Sequence, residues 1–234
     1  VDLSGFEADT QTNGVTVALN GSAVNGATVT GSDNDDDITG SSQRDTINAG
    51  TGADTVQGGQ EDDTIDLGDD EDADTYEFVD TNGEDTISNF VTTDDTLDFS
   101  NMTGISATGG TAEEVIDSAA AGDSTAWGDD STFLVSTDGS AGYITTGGTE
   151  TIEDFTSSSE TAAYLEERID FNDTVGTTEV GIIVINDLDN GITYAWDVND
   201  NRDGDNTDLT ADDINLIGVI NEANGDAIAE GDIV

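Results

Sequence analysis

The chain has 234 residues, of which 54 are Asp or Glu and three are Lys or Arg, for a formal charge of −51; it contains no Cys, His or Pro. These counts exclude disulfides, thiolate and imidazole metal sites, and Ser/His/Asp or Cys/His machinery, while the sign of the charge argues against nucleic-acid backbones and anionic lipid as partners. Any metal chemistry must be oxygen chemistry, and a compact fold needs something to offset its self-repulsion.

Composition leaves three offsets open: disorder, adaptation to salt, or bound cations. Against disorder, 33% of the residues are hydrophobic and gather in β-favouring clusters such as "TYEFV", "TFLV" and "GIIVI". Salt adaptation fits the near absence of Lys but not the regular spacing of Asp described below.

In chain order, residues 1–30 carry "GVTVAL" and "GATVT" and are expected to form a short β cap. The N-terminus lacks a cationic, apolar signal segment, no apolar run approaches membrane-spanning length, and a start at Val1 rather than Met is compatible with the end of a longer or processed chain.

Residues 31–100 are a repeat. Asp36, Asp45, Asp54, Asp63, Asp74, Asp85 and Asp95 follow one another at nine, nine, nine, eleven, eleven and ten residues. Two residues after each stands an apolar side chain: Ile38, Ile47, Val56, Ile65, Tyr76, Ile87 and Leu97. One unit earlier, Val29 has Ala27 where the aspartate would stand, which reads as a metal-free coil extending the stack.

Residues 101–234 read as a β-rich C-terminal region. "TAEEVIDSAAAG" (Thr111–Gly122) has helix formers and early acidic residues, predicting a short helix or ordered loop. "GDSTAWG" (Gly122–Gly128) reads as a turn, there being no histidine to make its serine a nucleophile. "STFLVSTDGSAGYITTGGTETIEDF" (Ser131–Phe155) echoes "DTYEFVDTNGEDTISNF" (Asp74–Phe90), and "ERIDFN" echoes "DTLDFS". The second half thus reads as a degenerate copy of the repeat's exit. It is decorated by one insertion, "SSSETAAYLEER", whose serines, early acid and terminal Arg168 predict a helix.

Further on, the acidic loop "NDNRDGDNTDLTADD" puts Asn199, Asn201, Asp203, Gly204 and Asp205 at the one, three, five, six and seven places of an EF-hand-like loop. Place twelve is Thr210 rather than a bidentate Glu, so a second calcium site and a plain solvated turn both remain open.

Written as GGxGxDxUx, with U large and apolar, the repeat template matches "GSDNDDDIT", "GSSQRDTIN", "AGTGADTVQ" and "GGQEDDTID". This resembles the RTX, or haemolysin-type, calcium-binding repeat. Its physical logic is independent of the name: Gly and Asn allow left-handed backbone angles that curl six residues and aim carbonyls inward, the sixth residue adds a carboxylate, and xUx forms a short strand with a buried centre.

The resemblance implies a mainly all-β chain containing a right-handed parallel β-roll with two units per turn and several Ca2+ ions clamped between units two apart. It pairs Asp36 with Asp54 and Asp45 with Asp63, with Asp54/Asp74 and Asp63/Asp85 as weaker extensions. Gly31, Asp33, Gly40, Gly50, Gly52 and Gly58 complete the candidate sites, although Asp33 also belongs with Asp35, Asp37 and Asp62 among the surplus carboxylates suited to solvated charge. The fourth place departs from glycine at Asn34, Gln43 and Glu61, and Asn tolerates a left-handed angle best of the three. A metal-free solenoid with an acidic edge is the competing reading.

RTX-containing proteins are typically exported by a type I, ABC-driven machine that reads an uncleaved C-terminal segment. The ending Gly231–Val234 resembles that signal, or is a final strand edge. The expectation is a secreted, extracellular or cell-surface calcium-binding protein of S-layer or matrix type. It would be no enzyme, would self-associate or bind cell-surface components, and would enter neither membrane nor nucleic-acid complexes. The alternative is the export and folding module of a larger secreted enzyme or toxin, and a carboxylate-only glycosidase ranks last.

Overall fold

Side chains alternate across a strand, so a triplet with a single apolar residue at its centre can bury only that one side chain; several must stack to build a core. The computed structural model describes residues 14–19, 26–80, 83–102, 115–117, 125–126, 131–137, 155–166, 169–170, 180–187, 190–199, 209–223, 228 and 232–234. It divides into two compact units, one of Val1–Thr103 with Gly218–Val234 and one of Gly104–Ile217.

The first unit is a parallel β-roll. Its strands are β1 (Thr16–Ala18), β2 (Thr28–Thr30), β3 (Asp37–Thr39), β4 (Thr46–Asn48), β5 (Thr55–Gln57), β6 (Thr64–Asp66), β7 (Thr75–Val79), β8 (Asp85–Phe90) and β9 (Thr96–Asn101). Odd strands stack as β1-β3-β5-β7-β9 and even ones as β2-β4-β6-β8, every neighbouring pair parallel. The U residues fall in register, Val17 on Ile38 on Val56 on Tyr76 on Leu97, and Val29 on Ile47 on Ile65 on Ile87. From Val29 onward all of them are buried. Val29 and Val17 therefore continue the stack as coils without aspartate, as the sequence indicates for Val29.

Toward its far end the roll thickens. Strands lengthen to five and six residues, and an aromatic cluster fills the space. Tyr76 meets Phe78 edge-on at 4.8 Å between centroids, and Phe78 stacks on Phe99 at 4.5 Å.

The second unit also alternates strands between two sheets. β10 (Val115–Asp117), β12 (Ser131–Thr137) and β14 (Val180–Asp187) run parallel in one sheet, while β11 (Thr125–Ala126) and β13 (Ile169–Asp170) pair in another. Helix α1 (Ser158–Glu166) falls between β12 and β13, where the sequence predicts the insertion. β15 (Ile192–Asn199) returns antiparallel on β14.

Two expectations are corrected. Within Thr111–Gly122, residues 115–117 are strand, not helix: pairing of the β-branched Val115 and Ile116 with β12 overrides local helix propensity. Within Gly122–Gly128, Thr125–Ala126 form β11 rather than a turn. The other residues of both segments lie outside the described ones.

Residues 218–234 correct the single 101–234 region, because they close the roll. From Gly218 onward, β16 (Ile214–Glu222) lies parallel to β8 with Ile220 on Ile87. Ile233 bridges Leu97 of β9, Val234 N–H donates to Leu97 O at 3.0 Å, and Phe99 N–H donates to Val234 O at 2.9 Å. Both sheets thus receive a final rung from one distant segment. A Cβ at Gly218 would stand 2.9 Å from Phe78 Cζ, inside a packed aromatic cluster. Gly218→Ala is expected to destabilise the calcium-loaded protein by about 1–3 kcal/mol, measured by denaturant unfolding; unchanged stability would contradict this packing.

Candidate metal centre

Because successive strand side chains point to opposite faces, an aspartate two residues before a buried U residue points inward with it. All seven repeat aspartates are buried, from 0% exposed at Asp45 and Asp85 to 3% at Asp36, Asp74 and Asp95. The intervening Asp37, Thr46, Thr64 and Thr86 face solvent. The surplus acids Asp33, Asp35, Asp37 and Asp62 are exposed as well, and Asp62 pairs with Arg44.

The buried carboxylates form two ladders, each rung bonding to the turn before it. On one, Asp36 N–H donates to Asp54 Oδ1 at 2.7 Å, Asp54 N–H to Asp74 Oδ1 at 2.8 Å, and Asp74 N–H to Asp95 Oδ1 at 2.9 Å. On the other, Asp45 N–H donates to Asp63 Oδ1 at 2.7 Å and Asp63 N–H to Asp85 Oδ1 at 2.9 Å. Val15 N–H and Ala27 N–H start the ladders, reaching Asp36 at 2.6 Å and Asp45 at 2.5 Å. All four aspartate pairs expected from the sequence are thereby brought together.

The second oxygens differ. Asp36 Oδ2 accepts Ser32 N–H and Asp45 Oδ2 accepts Ser41 N–H, while the two serine hydroxyls donate to Oδ1 at 2.9 and 3.1 Å. Asp95 Oδ2 accepts Val91 N–H, and Asp85 Oδ2 accepts the buried Tyr76 hydroxyl at 2.5 Å. Asp54 Oδ2 and Asp63 Oδ2 are enclosed and have no partner. A buried carboxylate oxygen left in that state is costly unless protonated or bound to a cation.

The turns differ in the same places. The third unit is left-handed at Gly50 (φ 119°) and Gly52 (φ 110°), the fourth at Gly59 (φ 115°) and Glu61 (φ 62°). A Cβ on Gly50 or Gly59 would fall 2.0 Å from the Ser32 or Ser41 carbonyl oxygen, so only glycine allows this approach. The expectation for the fourth place is inverted: Asn34 stays outside the left-handed region and Glu61 enters it. Ser32 Oγ accepts Asn34 N–H at 3.3 Å and Ser41 Oγ accepts Gln43 N–H at 3.2 Å, an alternative turn that needs no left-handed residue. Gly31, Gly40 and Gly58 sit at the strand exits, each too close to a neighbouring oxygen for a side chain.

Burial is the first cause of the carboxylates' shifted acidity. It lifts the pKa of Asp54 to about 8 and those of Asp63, Asp74 and Asp85 to about 7. Backbone N–H bonds oppose the rise, and like-charged neighbours such as Asp74 beside Asp54 add to it. Asp95 shifts upward for the same first reason.

Among the described residues no three His, Cys, Asp or Glu side chains gather around one point. Calcium, which accepts six to eight oxygens in flexible geometry, suits a mixed set of one or two carboxylates and turn carbonyls. The Asp54 and Asp63 carboxylates would hold it, and the enclosed oxygens, the glycine turns and the all-oxygen chemistry fit that ion.

At the EF-hand-like loop, Asn199 ends β15 and its N–H donates to Asp213 O at 2.7 Å; Asn201, Asp203 and Asp205 lie outside the described residues. Thr210, at place twelve, donates its N–H and hydroxyl to Asp213 Oδ2 at 2.8 and 2.6 Å. Sequence reasoning missed Ser32, Ser41 and Tyr76; the serines at the second place were the available signal.

Residues 30–65 and 39–73 match the family model of the RTX calcium-binding nonapeptide repeat (4 copies). These residues are calcium-binding repeats, and the roll they build is the parallel fold expected from them. A solution structure of the AlgE6R3 subunit from the Azotobacter vinelandii mannuronan C5-epimerase aligns over 97% of this chain and 81% of its own, at 12% identity and a TM-score of 0.37. No curated protein matches.

The raised carboxylate pKa values make the calcium-free roll pH-dependent. The folded state holds protons that the unfolded chain releases near pH 4, so this stabilisation is complete below about pH 4 and lost as pH rises through about 7 to 8. Without calcium, circular dichroism is expected to show more strand at pH 5 than at pH 8; the opposite slope would contradict the burial. Asp54→Asn should make the calcium-free roll more stable and weaken calcium binding about tenfold or more, read by thermal unfolding and calorimetry; losses in both would point to a purely structural carboxylate.

Proposed function

We propose that this calcium-binding repeat protein works outside the cell as a structural or adhesive component of S-layer or matrix type, folding when it meets calcium and performing no catalysis. The observation that carries the reading is the pair of enclosed, unpartnered oxygens on Asp54 and Asp63, within ladders of like charge. The chain has three Lys and Arg against 54 acids, so its own cations cannot balance them.

The residues act as follows. Stacked U side chains set the register, the Asp backbone N–H groups orient each carboxylate of the next turn, and the glycine turns keep the approach open. Where calcium is scarce, carboxylate repulsion opposes the roll and leaves the chain threadable for type I export. Calcium bound to the folded state alone would supply the missing positive charge and stabilise that state by mass action. With the repulsion reduced, exposed acidic faces can bridge to other copies or to cell-surface groups through further calcium. No described helix is long and apolar enough to cross a membrane.

A titration with calcium, paired with magnesium as control, tests this by circular dichroism and light scattering. The expected result is cooperative gain of strand with calcium alone, followed by growth of assemblies. Full folding without calcium at neutral pH would overturn the switch. Calcium-induced folding to a lasting monomer would overturn the assembly role and favour an export and folding module.

A further inference from the structure

The ladders are closed at their ends by the protein itself. Six of the repeat aspartates have both oxygens accounted for, among them Asp95, which ends its ladder with Val91 N–H on Oδ2. Asp36 and Asp45, at the start, take a serine N–H and a serine hydroxyl each. Asp85, at the end of its ladder, takes the phenol of Tyr76, which reaches across from β7 and is wholly buried. Asp54 and Asp63, in the middle, take one backbone N–H each and leave Oδ2 enclosed and unpartnered.

Turn conformation, turn residue and the apolar row change along the ladders in step with these partners. The middle units are left-handed at their second and fourth places; the first two units contain no left-handed residue. The middle units have Gly50 and Gly59 at the second place, where the first two have Ser32 and Ser41. The apolar row holds Ile or Val until it reaches Tyr76, whose hydroxyl lies on the only ladder-end oxygen that a longer side chain of β7 bonds among the described residues.

Resting on the calcium reading above, we propose that donors of the protein itself substitute for calcium at the ends of the ladders: the N–H and hydroxyl of Ser32 and of Ser41, the hydroxyl of Tyr76, and the N–H of Val91. They confine high-affinity ions to the two carboxylates with an enclosed, unpartnered oxygen, Asp54 and Asp63. A hydrogen-bond donor and a cation meet the same need of a buried carboxylate, an electropositive neighbour for its second oxygen; that donor is the serine N–H at Asp36 and Asp45 and the phenol at Asp85. A neutral donor does so without bringing an ion or requiring its coordination shell. The row of calcium sites therefore stops before the row of aspartates does.

Ion stoichiometry of the full chain, by calorimetry and native mass spectrometry with calcium alone, tests this. Two high-affinity ions are expected for the natural sequence, one for each unpartnered oxygen. Tyr76→Phe keeps the ring in the aromatic cluster but removes the phenol from Asp85 Oδ2, and should add one ion. Ser32→Gly and Ser41→Gly remove the hydroxyl and permit the left-handed turn of Gly50 and Gly59, in which the aspartate's Oδ2 has no donor; at the turn rather than in the core, they should add one ion each and keep the test available if the tyrosine variant does not fold. Ion counts unchanged in the folded variants, or more than two high-affinity ions in the natural chain, would overturn the substitution. Absence of any calcium binding would overturn the calcium reading itself.

Discussion

The bond from one aspartate's N–H to the carboxylate of the aspartate a turn away is the constraint on which this molecule rests. It ties strand register to charge placement: wherever the U residues stack, the carboxylates stack too. The apolar row favours the roll and the acidic row opposes it, with the same repeat units obliged to supply both. Burial of a U side chain contributes on the order of 1.5–3 kcal/mol, comparable with the penalty of one unsatisfied buried polar oxygen. A proton, a donor or a cation on each second oxygen decides the balance.

The two rows were legible in the sequence because each is fixed by local period. Asp36 through Asp95, and Ile38 through Leu97, can be found by counting, and the strand geometry that puts them on one face follows. Which carboxylates remain unsatisfied was not legible. Ser32 and Ser41 look like ordinary departures from glycine, and only their hydroxyl geometry reveals a different turn. Tyr76 counts as one more large apolar residue until the thickness of the roll brings its hydroxyl to Asp85.

Long-range pairing escaped for a different reason. Val115 and Ile116 sit among strong helix formers, and only a partner strand turns them into β10. Ile220 and Ile233 carry no mark that directs them to Ile87 and Leu97. Helix α1 was readable because its serines and Glu160 signal a start locally.

The return of residues 218–234 makes residues 104–217 an excursion between two parts of one roll. Loop-closure entropy grows only as the logarithm of length, about 0.6 kcal/mol for each doubling. Once the excursion is long, adding to it or trimming it changes the cost of completing the last rung very little. The roll is thus a socket indifferent to the size of what it carries, and evolution could exchange or enlarge the carried part without redesigning the rungs that close over it.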